Sequence, residues 1–251
     1  MRQTPERLSD RMTRIEQARR WVLDGATDPP KHGIAPWIAR SWQRCLANGQ
    51  RPQDAVGFDL LTAPAMRRVG EANHTLVSAA KPVLTGLGRA LADTGYFALL
   101  TNADGVVIDA QGSIDRSDPH AQVISRIGVD LSERSVGTTA ISAALTELQA
   151  VWLHRGEHFY DDTSVYSCAG APLIGPQGDC VGMLDLTGVR STERPQLRHL
   201  VAQSARAIEN ALTLACAQGK GKLLLWLNWA SPALGTDSEG MVCLDADGWI
   251  L

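Results

Sequence analysis

The spacing of apolar residues changes at Tyr96, and that change limits what this 251-residue chain can fold into. Before it, the pattern is helical. Leu8, Met12, Ile15, Ala18 and Val22 form one stripe, which Asp28-Pro29-Pro30 interrupts. Pro36 suits the first turn of a second helix, PWIARSWQRCLANG, with Trp37, Ile38, Trp42, Cys45 and Leu46 on one face. Asn48-Gly49 ends it. A third helix is expected from Ala63 towards Asp93, with Pro82 as a break inside it. From Tyr96 the runs become short, bulky and punctuated. YFALLT, the turn NADG and VVIDA read as a β-hairpin over 96–110.

The rest of the middle alternates. Pro119 to Ile127 predicts a weak helix. Thr138 is placed to cap a helix running TAISAALTEL. AVWLH and SCAGAPLI are strands, and the turn GPQG joins the second to a strand over Cys180–Leu186. A long helix starts near Pro195, with Leu197, Leu200, Val201, Ala205, Ile208, Leu212 and Ala215 as its buried stripe. Strands joined by short turns, with helices between, predict an antiparallel sheet covered by helices, an α+β domain. After residues 218–221 come LLLWLNWA and then EGMVCLDADGWIL. The latter repeats the strand, Asp-rich turn and strand of 96–110, and the chain stops inside its second strand. That predicts the front piece of a longer protein.

Charge and cysteine usage narrow the function classes. The net charge of −3 gives no case for the whole chain coating nucleic acid or an anionic membrane. Up to Arg51 there are ten Lys/Arg against five Asp/Glu, which reads as a solvated face. No apolar run approaches a membrane span, and the charged start is not a secretory signal. The five cysteines are scattered without C-x-x-C, which points to reduced thiols and a cytoplasmic protein. There is no G-x-x-x-x-G-K-[ST] phosphate loop.

The densest chemistry lies in WLHRGEHFYDDTSVYSCAG, Trp152 to Gly170. As a metal site, His154 and His158 would sit on one helical face, with Cys168, Asp161 or Asp162 completing a tetrahedron. A strand ending at His154 and a turn at Arg155-Gly156 remove that geometry. As a thiol enzyme or redox sensor, Cys168 would act with His154 or His158 and need Cys180 to resolve it. The GPQG turn pairs their strands instead. The remaining reading is a ligand pocket, with Trp152, Phe159, Tyr160 and Tyr166 as walls and His154, His158 and Cys168 as hydrogen-bonding groups. Trp152 and Phe159 suit a core equally well. Asp185 faces away from Leu184 and Leu186, and is read as a loop contact.

SWQRC, SVGTTAISAAL, HRGEHF and SCAGAPLIGPQGDCVGMLDLTG, in that order, resemble the N-terminal region of acetoin catabolism regulator-type, sigma-54-dependent transcriptional activators. The resemblance covers Trp37 to Leu214. It departs from the family at Thr139, where an Asn is usual, and over Cys168–Leu173. It implies a helical segment over 1–80, a GAF sensor domain over 81–216, and a linker with the truncated start of a PAS-like segment over 217–251. It also implies a small organic effector (an alcohol, ketone or aromatic), a homodimer paired through the first and last helices, and DNA contact only through a C-terminal region absent here. No enzyme activity, metal or cofactor is expected. The other readings are a thiol or metal sensor at Cys168 and a protein-docking GAF module without a ligand.

Overall fold

The computed structural model describes residues 5–23, 33–217, 223–228 and 239–250. Four helices lead into the sheet: α1 (Pro5–Leu23), α2 (Pro36–Ala47), α3 (Ala63–Ala72) and α4 (His74–Ala90). Pro36 occupies the first turn of α2, where its missing N–H costs no hydrogen bond. The expected break at Pro82 is absent, and Pro82 lies inside α4. The chain breaks at Asn73 instead, whose side-chain amide donates to the Val69 carbonyl at 2.8 Å. That bond satisfies the end of α3 locally, as short polar side chains do at helix ends.

The sheet holds β1 (Tyr96–Asn102), β2 (Val107–Gln111), β3 (Val151–His154), β4 (Tyr166–Ile174) and β5 (Cys180–Val189). Its spatial order is β2-β1-β5-β4-β3, and each neighbouring pair is antiparallel. Between β2 and β3 lie α5 (Pro119–Ile124), α6 (Glu133–Val136) and α7 (Ala140–Glu147), and α8 (Leu197–Ala217) follows β5. Strand alternation divides the interior into two cores. Tyr96, Ala98, Leu100, Ala169, Ala171, Leu184 and Leu186 face α4 and α8. Phe97, Leu99, Leu153, Tyr166, Cys168 and Met183 face α5 to α7. The helix α4 spans position 80 and packs on the first of these cores, through Leu76, Ala79, Ala80, Leu84 and Leu87.

The apolar stripes of the two helices expected to pair copies pack within the chain. Ile15, Ala18 and Val22 of α1 are buried, as are Leu197, Val201, Ala205, Ile208 and Leu212 of α8. The side chain of Leu8 lies outside the described residues. Beyond α8, β6 (Leu223–Asn228) pairs antiparallel with β7 (Glu239–Leu244). The segment LLLWLN is therefore a strand partnering EGMVCL. The expected second arm of the terminal hairpin begins as a single bridge, Leu244 to Ile250.

Close approach explains two glycines. A Cβ at Gly170 would lie 2.9 Å from the Ala140 carbonyl oxygen, so the glycine lets α7 rest directly on β4. A Cβ at Gly182 would lie 2.2 Å from the Thr101 carbonyl oxygen of the adjoining strand. Neither neighbour is a flexible side-chain tip. Gly182→Ala is expected to force β1 and β5 apart and destabilise the chain by about 1–3 kcal/mol, read as a lower urea midpoint. An unchanged midpoint would show that the pair yields without cost.

Candidate functional site

Below α7, the second core leaves a small cavity of about 30 Å³, about the room one water molecule takes in the liquid. Leu99, Cys168, Asp185 and Thr187 form its floor on β1, β4 and β5. Thr139, Ala140 and Ile141 form its roof at the start of α7. Ile124, Leu131, Val136, Tyr166, His158 and Phe58 close the sides. The Phe58 backbone is held by Arg126, which donates to its carbonyl at 2.9 Å. Phe58 comes from the connector between α2 and α3, so the helical lead contributes a wall.

The motif Ser-Val-Gly-Thr-Thr sets the roof. Gly137 has φ +66°, and a Cβ there would collide with Phe159 and Tyr160. Thr139, one residue later than expected, caps α7: its Oγ1 accepts from the Ser142 N–H at 3.2 Å, and the Ser142 hydroxyl accepts from the Thr139 N–H at 3.0 Å. Asn would serve the same N-cap geometry, so the helix start is insensitive to Thr139 in place of Asn. Thr138 turns the other way. It is fully buried, its hydroxyl shares a 2.6 Å hydrogen bond with Ser41 of α2, and Ser41 in turn donates to Glu133 at 2.6 Å.

The structure separates the seven side chains singled out in the sequence. His158, Tyr166 and Cys168 line the cavity. Trp152 and His154 stack on each other at 6.3 Å on the opposite face of the sheet, where His154 Nδ1 bonds the Ser167 hydroxyl at 2.7 Å. Phe159 and Tyr160 join a third core with Val22, Ile38, Trp42 and Cys45 of the helical lead. Asp185, read from the sequence as a loop contact, is instead a fully buried part of the floor, hydrogen-bonded by the Thr187 hydroxyl. Its direction was legible from strand alternation with Leu184 and Leu186. The cavity above it, which depends on Gly137 and Gly170, was not.

Two of the residues that line this cavity each carry a buried polar atom with no hydrogen-bond partner among the described residues: His158 Nε2 and Asp185 Oδ1. His158 Nδ1 lies 2.9 Å from the Arg155 carbonyl, which only accepts, so Nδ1 carries the proton and Nε2 presents a lone pair. Burial holds the His158 imidazole down to about 4, and it is neutral at pH 7. Burial pushes the Asp185 carboxyl up to about 7, against the hydrogen bond from Thr187. No Lys or Arg lines the cavity among the described residues.

The loop carrying His158 is gripped from outside. Arg19 of α1 donates to the carbonyls of Gly156 at 3.3 Å, His158 at 2.6 Å and Phe159 at 2.7 Å, and pairs with Asp161 at 2.6 Å. Trp42 of α2 donates to the Glu157 carbonyl at 3.1 Å. Glu157 accepts from Arg11 at 3.0 Å and from the His154 backbone N–H at 2.7 Å. Burial raises the Glu157 carboxyl above its ordinary value, while Arg11 opposes that shift. Hydrogen bonds to a charged donor contribute about 1.5–3 kcal/mol each when buried. Arg19→Ala is expected to destabilise by about 2–4 kcal/mol and to raise amide exchange at 156–161. Arg19→Lys should recover little, since an ammonium lacks the planar fork. Unchanged exchange in Arg19→Ala would remove the clamp.

The metal and thiol readings meet specific geometry. Among the described residues no three His, Cys, Asp or Glu side chains converge as a metal requires. Cys168 pairs with Thr187 and Cys180 with Ile174. The six residues from Cys168 to Ile174 along β4 keep the two thiols about 20 Å apart. Burial, then the neighbouring Asp185, push the Cys168 thiol well above its usual value. Iodoacetamide is therefore expected to label exposed Cys216 far faster than Cys168 in the folded chain. Mass spectrometry finding Cys168 labelled first would reinstate a reactive thiol.

With fold and cavity in place, the comparisons with known proteins define the class. The family model described as "MimR, N-terminal domain" matches residues 12–210, and the chain belongs to that family. It is 31% identical to the acetoin catabolism regulatory protein of Cupriavidus necator, over 85% of this chain and 32% of that protein. It is 29% identical to the propane 2-monooxygenase operon transcriptional activator MimR of Mycolicibacterium goodii, over 82% and 34%. It thus spans about a third of the length of the curated relatives it matches. In fold it is similar to a chain of the Escherichia coli DhaR(N)–DhaL complex, with a TM-score of 0.65, 20% identity, and coverage of 71% and 61%. The architecture is the GAF type, an antiparallel sheet with flanking helices behind a helical lead.

Proposed function

We propose that this chain is the signal-sensing region of a bacterial transcriptional regulator and binds a small organic effector in the cavity beneath α7. The observation that carries the reading is the pair of buried, unpartnered polar atoms, His158 Nε2 and Asp185 Oδ1, on residues that line a largely apolar cavity. A buried polar group without a partner costs about 1–3 kcal/mol. A ligand that satisfies both atoms recovers that cost; the cavity, about 30 Å³ when closed, has to widen to take even a compact molecule with an apolar body and one or two oxygen atoms. Relatives named for acetoin catabolism and for a propane monooxygenase operon fit an effector of that size.

Of the side chains expected to read the effector, His158, Tyr166 and Cys168 line this cavity, which supports assigning the role to them. Tyr166 acts through its ring, since its hydroxyl already donates to the His120 carbonyl at 3.1 Å. Occupancy would be passed on through α8, which packs behind β4 and β5. ATP hydrolysis and DNA contact would fall to the part of such a regulator that this chain does not span. Two copies, if they pair, would do so through faces other than the buried stripes of α1 and α8.

Thermal unfolding against small alcohols, hydroxyketones, ketones and phenols, with and without chelator, tests the reading. A ligand at a hundred times its dissociation constant should stabilise the chain by about 2.7 kcal/mol. Ile141→Phe, which fills the roof, is expected to abolish the shift while circular dichroism stays unchanged, and Cys168→Ser is expected to keep it. A flat panel, or a shift that survives Ile141→Phe, would sink the assignment to this cavity.

A further inference from the structure

The floor of the cavity carries an acid that the sequence motifs do not advertise. Asp185 sits at the centre of the sheet, opposite Leu99 on β1 and Gly170 on β4. Its side chain is fully buried. One carboxyl oxygen, Oδ2, accepts from the Thr187 hydroxyl, which is itself in contact with the Cys168 thiol at 3.6 Å. The other oxygen, Oδ1, has no partner among the described residues. A carboxylate held this way needs a cation or several donors, and the surroundings supply neither. The titratable groups facing it are Cys168 and Tyr166 from β4 and His158 from the turn after β3. Cys168 and Tyr166 are neutral when protonated, and burial raises both above their ordinary values. His158 is neutral, and its Nε2 has no hydrogen-bond partner among the described residues. The roof brings Thr139, Ala140 and Ile141, none of them charged.

We propose that Asp185 reads the effector as a neutral acid, donating its O–H to an effector carbonyl oxygen, so that binding is linked to one bound proton. His158 Nε2 supplies the complementary acceptor for an effector hydroxyl. The cavity thus presents one donor and one acceptor on an apolar background, without a formal charge. This rests on the cavity reading above and adds to it a residue and a proton. The direction follows from linkage. A site that needs the protonated acid holds its full affinity below the pKa of the unoccupied carboxyl, near pH 7, and loses up to roughly tenfold per pH unit above it.

The test has two arms on the 251-residue chain. In the first, calorimetry follows 3-hydroxybutan-2-one and propan-2-one at pH 6 and pH 8, in wild type and in Asp185→Asn. The Asn amide keeps a donor and cannot titrate. Wild type is expected to bind roughly tenfold more weakly at pH 8 than at pH 6, and the affinity of Asp185→Asn, reduced or not, to differ less than about threefold between the two pH values. In the second arm, infrared spectra of wild type without added ligand are recorded across the same range. A protonated-carboxyl carbonyl band that fades around pH 7, and is missing from Asp185→Asn, is expected. Binding that ignores pH in wild type overturns the proton linkage and leaves the cavity reading standing. The absence of a fading carboxyl band does the same, even if the variant fails to fold. No binding of either ketone together with a flat thermal panel overturns both.

Discussion

The Arg19 guanidinium, set against three backbone carbonyls and the Asp161 carboxylate, is the contact on which the rest of the arrangement depends. A loop that runs between a strand end and a cavity has carbonyls with no ladder to join, and buried carbonyls need donors. Here the donors come from more than a hundred residues upstream. Trp42 supplies another, and Arg11 meets the buried Glu157 that ties the same loop to β3. The helical lead is therefore part of the cavity's walls and clamps. It carries Phe58 to the cavity mouth and binds the Thr138 hydroxyl through Ser41, next to the residue that caps the roof helix.

The polar chemistry divides along the same lines as the packing. Glu157, Arg11 and Arg19 form a charged network outside the cavity, where α1 meets the loop. Inside, Thr187 links Asp185 and Cys168, His158 stands apart from them, and no Lys or Arg among the described residues lines the cavity. An apolar cavity without compensating cations makes any charge expensive, which favours the neutral forms of its polar residues. The charged network and the cavity meet at the turn 155–158, where the Arg155 carbonyl fixes the tautomer of His158 from one side and Arg19 fixes the backbone from the other.

The fold was legible in the sequence because period and punctuation agree. YFALLTNADGVVIDA and SCAGAPLIGPQGDCVGMLDL announce hairpins by short apolar runs on either side of Gly-containing turns, and both are present. Pro82 misled because tertiary packing of α4 outweighed one missing hydrogen bond. Asn73 was missed because a side-chain cap leaves little compositional trace. The candidate site was legible only as a region. Trp152 and His154 alternate with Leu153, so their departure to the other face could have been read from strand period. The division between His158 in the cavity and Phe159 in the core beneath α2 could not. It is set by a 3₁₀ turn over Arg155–Glu157 and by the distant Trp42 and Arg19.

The floor of the cavity and the bed of α8 are two sides of one sheet. Cys168 faces the cavity while its neighbour Ala169 faces α8, and Asp185 stands in the same relation to Leu184 and Leu186. Such a sheet behaves as a diaphragm stretched between two compartments. A strand that flexes to admit a guest on one side must press on whatever leans against the other. Gly170 is where this diaphragm has least padding, because there the Ala140 carbonyl of α7 comes close to the strand backbone.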